Sequence, residues 1–229
     1  MTSMSIYAPI RKRMILVFDV ETTGLLPKKE RGSPIEPTIE MYPFIIQLSF
    51  VLYDIIEGCI VRSYNSYVKI PENIDISMEV TGLTGITKNI CNEKGNNIID
   101  ILSEFYDAYM MSEVIVAHNI DFDEQMILIE LQRNRQEFLN KAPYCLTIFN
   151  KTYEKLKGVE RYCTMKRGTD ICNIIVPSKI PGNNPSKKWP RLNELHQTLF
   201  GEVPVGMHDA FVDTSACLKC YLKMRHGIN

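Results

Sequence analysis

The sequence predicts an α/β fold, a mixed sheet with helices on its faces. Three observations predict it. Residues 14–20 form a short, β-rich apolar run with no helical stripe. Residues 44–53 and 59–68 are two more such runs, joined by a short connection at Glu57-Gly58 that reads as an antiparallel hairpin. From residue 97 onward helical and strand patterns alternate, so the strand after the first crossover helix should lie parallel to the first strand through a right-handed connection.

The elements follow in order. Residues 1–13 are a basic tail, and residues 27–42, rich in Pro and charge, are long for a loop and read as an insertion. Residues 77–81 suggest a short helix before LTGIT. Over residues 97–110, Ile98, Ile101, Leu102, Phe105 and Tyr109 make one apolar helical stripe. Residues 114–117 are a short buried strand, His118-Asn119 a turn, and residues 121–133 another helix. Residues 134–160 show no clear periodicity. Residues 162–164 read as a last short strand and 165–174 as helical, followed by the loop VPSKIPGNNPSKKWP. Leu192, Leu195, His196, Leu199 and Phe200 fall at helical spacing with Gly201 as a stop. The last helix is expected over 207–224, with Phe211, Thr214, Cys217, Leu218, Tyr221 and Leu222 on one side.

Composition narrows the class. The chain has 229 residues, 45% hydrophobic and 23% charged, ordinary for a globular protein with one domain over 14–229. A net charge of −1 excludes a global basic field, so contact with nucleic acid would rest on local patches or bound metal. No apolar run reaches the ~18 residues of a membrane span. Seven cysteines without a secretory signal point to free thiols in a reducing, intracellular compartment, cytoplasmic or nuclear. Cys217 and Cys220 form a lone CxxC, read as core-facing thiols. Arg11-Lys12-Arg13 reads as a solvated strand lead-in, with a weak nuclear signal as the alternative.

Three acidic stretches stand out. FDVETTGL ends the first strand with Asp19 and Glu21, which share a face because strand side chains alternate. Two like charges on one face raise each other's pKa unless a cation lies between them, and hard divalent ions prefer such oxygens. In IVAHNIDFDEQM, Asp121 and Asp123 open a helix, where capping and dipole compensation alone account for acids. In VGMHDAFVDTSA, Asp209 is explained as a cap, whereas Asp213 lies a turn inside among small and apolar residues. Each stretch alone is a weak signal.

Together, FDVETTGL, AHNIDFD and HDAFVD resemble the three motifs of the DEDDh 3′–5′ exonucleases, the DnaQ-like family, over roughly residues 14–224. YPFIIQLSF, LTGIT and RLNELHQTLFG also look like family segments. The resemblance implies a ribonuclease-H-like sheet of five strands, three antiparallel and then parallel ones. It implies four metal-binding carboxylates, Asp19, Glu21, Asp123 and Asp213, for two divalent ions, Mg²⁺ or Mn²⁺, with His208 as general base. His208 stands five residues before Asp213, and the position four before it is Asp209, not the tyrosine of the other subclass.

The implied activity is release of nucleoside 5′-monophosphates from a 3′ end of DNA or RNA, single-stranded by preference. Thr22, Thr23, Gly24 and Leu25 would seat the terminal nucleotide, although strand packing also explains Thr22. His118 and Asn119 match the motif as substrate contacts, and Asn119 either positions the nucleotide or holds the turn. His196 reads as a satisfied core histidine. Lys166-Arg167 and Lys187-Lys188 with Trp189 are either solvated or in contact with the strand. A polymerase partner and a homodimer are further expectations from relatives. Two readings compete: a catalytically inactive nucleic-acid-binding or polymerase-associated module, and a phosphatase using the same acids.

Overall fold

The computed structural model describes residues 12–27, 37–178 and 184–229. Its elements are β1 (Met14–Thr22), β2 (Ile45–Asp54), β3 (Cys59–Tyr67), α1 (Met78–Thr84), α2 (Lys88–Lys94), α3 (Ile98–Met111), β4 (Val114–Ala117), α4 (Ile120–Arg133), α5 (Arg135–Lys141), α6 (Lys151–Lys157), β5 (Glu160–Cys163), α7 (Thr164–Cys172), β6 (Ile175–Val176), β7 (Ser186–Lys187), α8 (Leu192–Phe200) and α9 (Ala210–His226). Five strands form one sheet in the order β3-β2-β1-β4-β5. β1 pairs antiparallel with β2, and β2 with β3, while β4 runs parallel to β1 and β5 parallel to β4. This is the ribonuclease-H-like architecture.

β1 is buried on both faces because helices cover both. Leu16, Phe18 and Val20 pack into the layer with α3 and α4, while Ile15 and Val17 pack on the layer with α8 and α9. The α3–α4 layer is fixed by aromatic edges: Phe105 lies 5.2 Å from Phe18 and 5.9 Å from both Phe50 and Phe149, centroid to centroid. T-shaped pairs of this kind add to the burial of the rings themselves. The stripe Ile98, Ile101, Leu102, Phe105 and Tyr109 is buried along its full length. Cys217 and Cys220 both face the core from α9.

Several expectations change. The strand expected at 162–164 begins at Glu160, and Thr164 already belongs to α7. Helix α7 stops at Cys172 because Asn173 adopts the left-handed conformation, so Ile174 lies outside it. Residues 134–160 hold α5, a 3₁₀ turn and α6, short elements that leave no legible periodicity. Part of the Pro/Asn/Lys loop is a two-stranded ribbon, Ile175 opposite Lys187 and Val176 opposite Ser186. The last helix begins at Ala210 rather than 207, because His208 has φ 72° and Asp209 is the N-cap. Phe211 is 38% exposed instead of lying on the buried side. Of the tail and the 27–42 insertion, residues 1–11 and 28–36 lie outside the described residues, and Ile39–Met41 form a 3₁₀ turn. Arg13 pairs with Asp54 at 2.6 Å, as a strand lead-in would.

α1 and α2 are tied to the sheet where Asn96 bridges to β3's end, with Asn96 N donating to Tyr67 O and Lys69 N to Asn96 O, both at 2.9 Å. Gly95 makes this approach feasible: a Cβ there would sit 2.6 Å from Lys69 N and 2.8 Å from Val68 C. Backbone cannot retreat as a flexible side chain can. Gly95→Ala is expected to destabilise the protein by about 1–3 kcal/mol, the range of overpacking, as measured by denaturant unfolding.

Candidate active site

Alternation along β1 puts Asp19 and Glu21 on the face that carries Ile15 and Val17, toward α9. A β-bulge follows, with the β1–β2 register shifting between Glu21 and Thr22. Bulges re-aim side chains at sheet ends. Asp123 comes from the first turn of α4 and is buried, its Oδ1 accepting from Val20 N at 3.2 Å. Asp213 comes from the first turn of α9 and is also buried. Its two oxygens accept from His208 N at 3.4 and 3.3 Å. His208 itself is exposed, on the loop before α9. Glu21, His208 and Asp213 each offer one ligand atom within 4.8 Å of one another.

The electrostatics are those of acids crowded away from water. Burial, then the charges of Asp123, Asp213, Glu21 and Asp209, push Asp19 well above the ordinary carboxylate range. Burial, then Asp213 and Asp123, lift Glu21 to about 8. Burial also raises Asp123, opposed by the Val20 N–H, and raises Asp213 to about 6, opposed by the His208 N–H. So Asp19, Glu21, Asp123 and Asp213 share one field, although only Glu21 and Asp213 belong to the tight group with His208. A set of carboxylate oxygens that repel one another, with one imidazole beside them, fits a hard divalent cation such as Mg²⁺ or Mn²⁺.

Thr22, Thr23, Gly24 and Leu25 line one cleft with Glu21 and His208. Thr22 Oγ1 donates to Gly24 O at 2.6 Å, and Thr23 Oγ1 accepts from Phe44 N at 3.0 Å, so both hydroxyls hold the turn. Gly24 is open: a Cβ there meets nothing within 4 Å among the described residues. Leu25 is 83% exposed. His118 bridges protein groups, with Nε2 3.0 Å from Pro190 O and Nδ1 3.0 Å from Thr164 Oγ1. A carbonyl only accepts, so Nε2 carries the proton and Nδ1 takes the threonine's. Burial pushes this imidazole down to about 4, which keeps it neutral. Asn119 takes the left-handed conformation at the start of α4, and its side chain makes no capping bond. His196 is only half satisfied: Nδ1 donates to Glu202 O at 2.9 Å, while Nε2 is buried without a partner. Lys166, Lys187 and Lys188 pair with Asp121, Asp170 and Glu194.

The sequence reading missed two features. Gln47, fully buried on β2, donates from Nε2 to Asp209 Oδ2 and Asn65 Oδ1, both at 3.0 Å, and accepts from Ala210 N at 3.2 Å. It holds the start of α9, and thereby Asp213. The available signal was a lone amide inside the apolar run Ile45-Ile46-Gln47-Leu48. The second feature is a cleft of about 500 Å³ between the end of β1 and α1, lined by Glu21, Leu25, Val80, Leu83, Phe122 and His208, among others.

Comparison with known proteins now decides the family. An exonuclease family model, that of RNase T, matches residues 16–221. The chain belongs to this family of exonucleases, of the DEDDh, DnaQ-like kind. Among solved structures it resembles Escherichia coli exonuclease I bound to a dT13 oligonucleotide, at 18% identity and TM-score 0.62, over 94% of this chain and 42% of that one. It also resembles the zinc-bound form of the E. coli exonuclease I complex with single-stranded DNA, at 18% identity and TM-score 0.61, over 95% and 42%. Exonuclease I of Methylocaldum szegediense gives 19% identity and TM-score 0.61, over 94% and 41%. The chain thus spans about two fifths of these proteins' length. Comparison with curated protein sequences gave no match. No helix among the described residues is long and apolar enough to cross a membrane.

Two predictions follow from the geometry. Folding raises the pKa of these acids above their unfolded values, so the native state binds more protons than the unfolded chain. Their contribution to stability is therefore greatest below about pH 4 and is lost as pH rises toward about 8. In EDTA the thermal midpoint should fall across that window, and saturating Mg²⁺ should reverse the fall at pH 8. Scanning fluorimetry reads both. Gln47→Leu strips the Ala210 N–H and Asp209 of a buried partner. It should cost about 1–3 kcal/mol in denaturant unfolding, with a larger proportional loss in kcat than in KM.

Proposed function

We propose that this protein is a metal-dependent 3′–5′ exonuclease. It hydrolyses the terminal phosphodiester of single-stranded DNA or RNA and releases nucleoside 5′-monophosphates. The observation that supports this most is that Glu21, His208 and Asp213 bring ligand atoms within 4.8 Å of one another in the field of Asp19 and Asp123, with Glu21 and His208 lining an open cleft. The solved relatives in complex with single-stranded DNA support the same substrate class.

Asp19, Glu21, Asp123 and Asp213 would hold two divalent ions. When bound, such ions offset the phosphodiester's charge, lower the pKa of the attacking water and stabilise the leaving 3′-oxygen. The protein's own residues do the rest. The His208 imidazole takes the proton of the attacking water, and its exposure lets it return that proton to solvent. The His208 N–H on Asp213 fixes the loop relative to α9, so base and carboxylate move as one. Gly24 leaves room for close backbone approach, and Leu25, Val80, Leu83 and Phe122 offer apolar contact to the terminal base.

The test uses 5′-labelled DNA and RNA oligomers, single- and double-stranded, with Mg²⁺, Mn²⁺ or EDTA. Wild type should give a ladder that shortens from the 3′ end, only with metal. Asp19→Ala should abolish it. His208→Ala should keep the fold and lower kcat about 10²–10⁴-fold, the usual contribution of a general base. Metal-independent binding without hydrolysis would support the inactive module instead, and phosphate release from monoesters alone would support a phosphatase.

A further inference from the structure

Trp189, the single tryptophan of the chain, is 61% exposed. The chain on both sides of it is tied down. Before it, Lys188 N donates to Ile174 O at 3.0 Å. After it, Pro190 is buried and its carbonyl takes the Nε2–H of His118. Arg191 N donates to Glu194 Oε2 at 2.8 Å, at the start of α8. An exposed hydrophobic residue is ordinary. An indole held outward between two anchored neighbours is preorganised for a contact.

The anchor sets its location. His118 belongs to the turn between β4 and α4, and Asp123 lies one helical turn further on. The segment carrying Trp189 is therefore hooked to the structure that positions one of the four acids. Cations flank it in the chain, Lys187 and Lys188 before it and Arg191 after it, with Lys187 paired to Asp170 and Lys188 to Glu194. The lysine pairs are partly exposed and worth at most about 1 kcal/mol each, so a phosphate can compete for them. A rigid, exposed aromatic face among cations is the chemistry that takes an unpaired nucleobase together with its phosphate.

We infer that Trp189 is a stacking platform for a base of the single strand upstream of the cleaved bond, held in place by the His118–Pro190 hydrogen bond. The inference rests on the exonuclease reading and adds a second contact point on the same strand. Stacking of this kind tolerates any base, because every base has a π face. Its effect should grow with strand length, since a dinucleotide ends near the acids while a longer strand extends outward.

The experiment exploits the single indole. With Asp19→Ala protein, tryptophan emission is titrated with dT12 in Ca²⁺, and binding is followed independently by anisotropy of a labelled dT12. Emission should be quenched in step with binding. In otherwise wild-type protein, Trp189→Ala should raise KM for dT12 about five- to one-hundred-fold, the range base–aromatic stacking gives. It should raise KM much less for dT2. Trp189→Phe should recover most of the loss. Binding of dT12 by anisotropy with unchanged emission would overturn the platform, as would equal losses on dT2 and dT12. Quenching by a wild-type protein that releases no nucleotide would overturn the exonuclease reading and leave the platform standing.

Discussion

The structure depends on one unfavourable arrangement: four carboxylates gathered at one end of a buried strand. At an effective dielectric near 20, two like charges about 4 Å apart repel by about 4 kcal/mol. A whole domain is stable by only about 5–15 kcal/mol. A flexible loop would relieve such repulsion by moving. β1 cannot move, because it is paired on both edges and covered on both faces. Rigidity around β1 is thus what keeps the acids together, and the raised pKa of each acid records first its burial and then the like charges beside it.

Backbone donors from neighbouring elements hold the arrangement. The Val20 N–H on β1 reaches Asp123 on α4, tying the second acidic stretch to the first. The His208 N–H reaches Asp213, tying the loop to α9. Both bonds oppose the rise in their carboxylate's pKa, so they favour the charged form that a cation needs. Gln47 completes the frame from β2 by holding Asp209 and the Ala210 N–H. His208 takes a left-handed backbone conformation that non-glycine residues avoid. Such strain persists only where the surroundings over-determine it, and here it turns the N–H toward Asp213.

Much of this was legible from the sequence, and the rest was hidden for physical reasons. Period-two alternation alone places Asp19 and Glu21 on one face, and the 3.6-residue stripe from Ile98 to Tyr109 predicts a buried helix. The sheet order follows from a hairpin and crossover rules that local patterning supplies. His208 could not be separated from the helix after it, because a single residue in the left-handed region leaves no mark in hydrophobic periodicity. Gln47 escaped notice because its partners, Asn65, Asp209 and Ala210, come from distant stretches. The ribbon at 175–187 was invisible for a related reason: two paired residues a side are too few to show alternation. The bonds of Thr22, Thr23 and His118 within the fold were hidden as well, because motif position says nothing about where a hydroxyl or ring nitrogen points.

Those three residues bear on how the cleft would recognise a nucleotide. Reading a base requires hydrogen bonds to its edge. Thr22 donates its hydroxyl proton within the turn, the Thr23 hydroxyl accepts there, and His118 has used both ring nitrogens between β4, α7 and the Trp189 segment. Leu25, Val80, Leu83 and Phe122 also line the cleft, and they offer surface without directional bonds. Under the proposed function, these apolar faces against the terminal base and backbone approach at Gly24 would hold the nucleotide without distinguishing one base from another. An exonuclease must advance through whatever sequence it meets. Under that function, contact through apolar faces and backbone would suit this need, while the bonds of Thr22 and His118 keep the neighbouring turns rigid.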